Sequence, residues 1–255
     1  MYIIDKLEMV LESFDEDTTE YVLSHYFLQH LNHIEEITLK QISMEAKVSQ
    51  ASVVRFCQKI GYKGIVQFIT ALEDEYGDLQ ARFNFFKKTD LTQLEDLKYS
   101  FIKECHQVLS ESIDALTNMI YKSHKVMLYG RKSFMNSFQY LTSYCRMNHI
   151  DLINSFSLSK KNQQKLFESL EEDDVLIIID PFITWNTYKE MSYMHNEVIE
   201  NILNTSSRIV FIGQGASQDI DLSITIPYTY YDYFYKSYFD SLDFELTLKL
   251  KEKNE

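Results

Sequence analysis

The chain has 255 residues, 45% of them hydrophobic, and carries 25 Lys and Arg against 38 Asp and Glu, a formal net charge of -13. That length bounds one or two domains, and the hydrophobic share supports a buried core. The charge excludes a protein that coats nucleic acid or anionic membrane over its whole surface, while leaving room for one basic face.

The first twenty residues, MYIIDKLEMVLESFDEDTTE, are acidic and lack a long apolar run, so no signal peptide is expected. Leu23, Phe27, Leu31 and Ile34 recur at helical spacing and predict one helix; Leu39, Ile42 and Ala46 predict a second. Val53, Cys57 and Ile60 mark a third, and Ile65, Phe68 and Leu72 a fourth. Over 73–90 the periodicity fades and the charge changes sign, which places a linker at 78–90 between an all-helical unit, 1–77, and a second unit, 91–255. A long helix follows, carried by Leu94, Leu97, Phe101, Cys105, Val108, Ser112 and Leu116. Then short apolar runs alternate with helix-length segments: KVMLYG at 125–130, IDLINS at 150–155, VLIII at 175–179 and RIVFIG at 208–213. This alternation predicts parallel βαβ units in a doubly wound sheet, with LSITIP at 222–227 as an edge strand. The tail from Tyr230 to Lys251 reads as a last helix, with Tyr231, Phe234, Tyr238, Leu242 and Leu246 on a face that suits a core or a subunit interface.

Within the acidic chain, residues 38–65 hold five cations (Lys40, Lys47, Arg55, Lys59, Lys63) against one anion, Glu45. A helix over 39–47, a tight turn at Val48 and a helix from the N-cap Ser49 to Gly61 make a helix-turn-helix. Its second helix buries Val53, Cys57 and Ile60 and turns Gln50, Ala51, Ser52, Arg55 and Lys59 outward. Arg55 suits the O6 and N7 of guanine and Gln50 the N6 and N7 of adenine. Ser49, Ser52, Lys59 and Lys63 suit phosphate oxygens, and Lys40 joins this double-stranded DNA-binding set. A solvated amphipathic helix in a bundle would show much the same spacing.

The stretch TLKQISMEAKVSQASVVRFCQKIGYKGIVQF resembles the N-terminal domain of the RpiR family of bacterial transcription regulators. The resemblance rests on Ile42, Ala46, Val48 and Ser49, the Ser52–Phe56 run, Gly61–Gly64 and Phe68. It implies a DNA-binding regulator with a C-terminal SIS (sugar isomerase) domain that binds phosphosugars, self-associates and controls sugar or amino-sugar genes. The order and size of the second half agree. Helix-turn-helix readers of this kind usually dimerise on paired half-sites, so a palindromic operator is expected.

The two ligand loops that the resemblance implies depart from the family pattern. The first reads GRKSF, keeping Gly130 and Ser133 but placing Arg131 and Lys132 in the loop. The second, IIIDPFITWNT, offers only Thr184 and Thr187 as phosphate-binding hydroxyls, beside Asp180, Phe182 and Trp185. The effector pocket is therefore expected to be degenerate. The run GQGAS at 213–217 fits a phosphate loop by letter, but an edge strand follows it instead of a helix. Only six glycines are present, so few phosphate-cradling loops are possible at all.

Glu190 and His195 are the only candidate bases for an isomerase. The histidines lack ligand spacing, and Cys57, Cys105 and Cys145 are scattered without a CxxC pair. No catalytic residues, cofactor or metal are expected, and the cysteine usage reads as a reduced, cytoplasmic protein. Two alternatives stay open: a sugar-phosphate isomerase with a DNA-binding appendage, and a regulator whose sheet domain only dimerises.

Overall fold

The computed structural model of the chain describes residues 3–86, 90–154, 160–194, 202–229 and 231–254. The helical half is built from α1 (Ile3–Ser13), α2 (Thr19–Gln29), a 3-10 turn at Leu31–Glu36, α3 (Leu39–Glu45), α4 (Gln50–Lys59) and α5 (Ile65–Phe86). Its core gathers Leu7, Leu23, Phe27, Ile42, Val53, Phe56, Cys57, Phe68 and Leu72. The Phe27 ring packs edge-on to Phe68 at 4.7 Å and stacks on Phe56 at 6.0 Å, geometries that aromatic quadrupoles favour. The helix expected across 23–34 is in fact α2 plus the 3-10 turn, broken at His30; Ile34 still reaches the core.

The segment read as a linker is helical as far as Phe86, within the single 22-residue α5; residues 87–89 lie outside the described residues. A change in charge sign does not break a helix, and the one glycine of α5, Gly77, costs only about 1 kcal/mol against alanine. Asp90 then caps α6 (Leu91–Lys122), accepting hydrogen bonds from the Thr92 and Gln93 amides.

The second half is the expected parallel sheet: β1 (Lys125–Gly130), β2 (Asp151–Asn154), β3 (Val175–Thr184), β4 (Arg208–Gln214) and β5 (Leu222–Thr225), in the order β2-β1-β3-β4-β5. Every pairing is parallel, and β5 takes the edge that LSITIP predicted. Alternate residues of β3 serve opposite faces, as the strand pleat requires. Val175, Ile177 and Ile179 pack with α6, α7 (Lys132–Met135), α8 (Gln139–Met147) and α11 (Asp232–Glu252). Leu176 and Ile178 pack with Phe167 of α9 (Lys160–Glu168) and with Trp185 and Tyr188 of α10 (Trp185–Met194). The sheet is thus covered on both faces, and the chain has an α plus α/β architecture. The aromatic tail helix is core: Tyr231, Phe234, Tyr238, Leu242 and Leu246 are all buried.

One element differs from expectation in a way that shapes the site. β3 does not stop at Ile179 but runs on to Thr184, with its pairing to β4 skipping from Asp180 to Thr184. Pro181 has no N–H to give the ladder, and a bulge is where a strand tolerates it.

Candidate DNA interface and strand-end crevice

Local chemistry dictates the helix-turn-helix geometry. Thr38 and Gln41 form a reciprocal capping box that starts α3. The helix ends at Glu45, two residues short of the expected Lys47, which instead adopts a left-handed φ of 54° and turns the chain. The Ser43 hydroxyl donates to the Val48 carbonyl at 2.6 Å and fixes that turn. Ser49 then caps α4, its Oγ accepting from the Ser52 amide at 3.0 Å. At the other end Gly61, at φ 108°, lets the Gly61 and Tyr62 amides reach the carbonyls of Gln58 and Cys57. That pair of bonds closes a Schellman motif, which wants a residue without Cβ at this position.

With Val53, Phe56 and Cys57 buried beneath it, α4 turns Gln50, Ala51, Arg55, Gln58 and Lys59 to solvent. Lys40, Ser49 and Lys63 are exposed alongside, and Ser52 is half-buried. Arg55 reaches back to the Ser52 hydroxyl at 3.2 Å, so both point off the same face. Lys59 is engaged: its ammonium bonds Glu20 at 2.6 Å and lies over the Phe14 ring, and the bond holds the Glu20 carboxyl below its usual range. Gln58 is the one exposed polar residue of α4 absent from the expected set. Its place one turn beyond Arg55 was the available signal.

At the carboxyl ends of β1 and β3 the predicted loop residues have separate fates. Gly130 is needed for packing, since a Cβ there would lie 2.4 Å from the Ile179 carbonyl oxygen of the neighbouring strand. Ser133 is exposed on the short α7. Thr184 and Thr187 bond each other, hydroxyl to hydroxyl at 2.9 Å, and the Thr187 amide donates to Thr184 in the manner of an N-cap. The Glu190 side chain and His195 lie outside the described residues.

Arg131 and Lys132 meet carboxylates that no local pattern foretold. Lys132 pairs with Glu12, and its amide donates to Asp5 at 3.1 Å. Arg131 pairs with Asp232 at 3.3 Å, and Arg82, from the far end of α5, pairs with the same carboxylate at 2.9 Å. Both guanidiniums lie against the Phe182 ring, at 4.1 Å for Arg82 and 4.6 Å for Arg131, within reach of a cation–π contact. Three carboxyls feel the Arg131 charge, Asp180 buried and Asp5 and Glu75 half-buried. Burial raises the pKa of Asp180 and of Asp5, and Arg131 works against it in both. Burial pushes Glu75 up to about 7, opposed by the Ile3 and Ile4 amides that donate to it.

The GQGAS run is a turn: Gly213 ends in β4, Gly215 adopts a φ of 68°, and β5 follows. Among the described residues no helix is long and apolar enough to cross a membrane, and no group of three or more His, Cys, Asp or Glu is placed to hold a metal.

A helix-turn-helix with an exposed polar and cationic second helix is thus joined to a parallel sheet covered by helices on both faces. Residues 1–78 match the family described as "Helix-turn-helix domain, rpiR family". The match covers the N-terminal helical unit and identifies it as a helix-turn-helix domain of the rpiR type. Among solved structures the chain is similar to the Vibrio vulnificus NanR protein complexed with ManNAc-6P, at 13% identity and a TM-score of 0.48, covering 98% of this chain and 91% of that one. It is also similar to a phosphoheptose isomerase from Francisella tularensis, at 15% identity and a TM-score of 0.48, covering 64% of this chain and 99% of the other. A third is the sugar isomerase domain of an RpiR transcription factor from Sphaerobacter thermophilus, at 11% identity and a TM-score of 0.44, covering 63% and 91%.

Proposed function

We propose that the protein is a DNA-binding regulator of the RpiR type that reads a paired-half-site operator as a cytoplasmic homo-oligomer, controls genes of sugar or amino-sugar metabolism, and is not itself an enzyme. The DNA-reading unit is 1–77 and the sheet unit 91–255. The observation that carries the reading is the exposed start of α4, where Gln50 and Arg55 stand ready for base edges. Ser49, Ser52, Lys40 and Lys63 flank them as phosphate contacts, and Lys59 joins by exchanging Glu20 for a phosphate oxygen. The link to sugar metabolism rests on the family resemblance.

The effector set is Gly130, Arg131, Lys132, Ser133, Thr184 and Thr187. Its strongest members are the two cations, because Gly130 answers to packing and the threonines satisfy one another. A non-catalytic role is supported by the bulky Phe182 ring at the strand end, with Arg82 and Arg131 packed against it. The same observation favours the second reading, in which the sheet domain serves dimerisation alone.

Fluorescence anisotropy on DNA from upstream of the gene, across several salt concentrations, tests the proposal. Specific binding roughly a thousandfold tighter than to random DNA supports it. Weak binding that falls with salt identically on every fragment overturns it, since that is phosphate attraction alone.

A further inference from the structure

The helix α1 lies between the two regions described above and touches both with adjacent residues. Asp5 accepts the Lys132 amide just after β1, and about two turns of α1 later Glu12 pairs with the Lys132 ammonium. Lys6, buried, donates to the carbonyl of Ile60, the residue that ends the recognition helix α4. The start of α1 is in turn clamped by the Glu75 carboxylate of α5, which accepts the Ile3 and Ile4 amides. One helix therefore joins Lys132, at the start of α7, to the end of the helix proposed to read DNA.

We propose that α1 is an internal ligand of the β1 loop: Asp5 and Glu12 hold the place that an anionic effector takes on Lys132, and the effector's entry releases α1 and, through Lys6, its hold on the end of α4. A carboxylate and a phosphate ester make the same bonds to an amide and an ammonium, so the two compete for one place. The competition lowers the apparent affinity of the effector by the fraction of chains in which α1 is docked, and couples that affinity to the position of α4. This deepens the effector reading of Arg131 and Lys132 and rests on it.

The test uses the full chain with inorganic phosphate against chloride at matched ionic strength. Hydrogen–deuterium exchange of α1 and phosphate affinity by calorimetry are read on wild type, on Asp5→Asn/Glu12→Gln and on Lys132→Met. Phosphate is expected to speed exchange in α1 of the wild type, since exchange reports local release. The double variant is expected to bind phosphate about tenfold or more tightly than wild type, the docked competitor being gone. Lys132→Met is expected to show fast α1 exchange without phosphate and no response to it. Equal phosphate affinity in wild type and double variant, or α1 exchange that ignores phosphate, overturns the proposal. Should the double variant fail to fold, Lys132→Met decides: α1 exchange as slow as in wild type overturns it as well. None of these readouts involves DNA. Loss of operator binding would therefore remove the proposed function and leave the α1 contact standing, and the reverse holds too.

Discussion

The recognition face and the strand-end crevice use the same residue types for opposite purposes. On α4 the side chains that bear the chemistry come from within a few residues of one another and stand in solvent over a separately packed core. At the crevice, Arg131 and Arg82 converge on Asp232 from 101 and 150 residues away, and nearby Asp180 is buried and Glu75 half-buried. An exposed cation can be removed at little structural cost because water replaces its contacts. A guanidinium amid such carboxyls cannot, because its loss leaves their charge uncompensated. Ligand-facing chemistry thus sits where stability does not depend on it on one side of the molecule, and is bound up with stability on the other.

The contrast breaks most sharply at Arg131. Arg131→Ala is expected to destabilise the chain by about 1–3 kcal/mol, since Asp5 and Asp180 lose a neighbouring cation and Asp232 is left with Arg82 alone; a denaturant melt within error of wild type would show that the crevice charges are not coupled. Arg55→Ala should do the reverse. It is expected to cost about 1–3 kcal/mol of operator affinity, measured by anisotropy, while leaving unfolding within about 0.5 kcal/mol of wild type. A variant that binds its operator unchanged would remove Arg55 from the base-reading set.

Next in size comes pH. Burial raises the Glu75 pKa in the folded chain to about 7, so the folded state holds a proton that the unfolded chain has released. The stability Glu75 contributes is complete below its unfolded pKa and is lost as pH rises through 7. Asp5 and Asp180 shift in the same direction. Stability is therefore expected to fall by on the order of 1 kcal/mol between about pH 6 and pH 8, with α1 the first element to loosen. A flat profile over that interval would mean that the Ile3 and Ile4 amides offset the burial of Glu75 in full. The smallest effect belongs to Lys63→Ala, which should weaken all DNA alike and reduce the salt slope by about 1; an unchanged slope would place Lys63 off the phosphate backbone.

Periodicity and caps alone determined much of this protein. The capping residues Thr38 and Ser49, Gly61 at the left-handed end of α4 and the apolar stripe of Val53 and Cys57 made the helix-turn-helix legible, because each acts over four residues or fewer. The alternating apolar runs likewise foretold a parallel sheet, since a strand buried on both faces must be apolar throughout. The same local view ended β3 at Ile179 and put a linker in α5, because neither a bulge shaped by a neighbouring strand nor a helix held by distant charges leaves a mark at its own position. What only the tertiary structure decided is the company that Arg131 and Lys132 keep. Their residue types announce an affinity for anions, but the Coulomb partners that satisfy them, Asp232 from α11 and Asp5 and Glu12 from α1, lie 101, 127 and 120 residues away in sequence. Electrostatic pairing depends on distance in space, and that distance is set only when the two halves of the chain pack together.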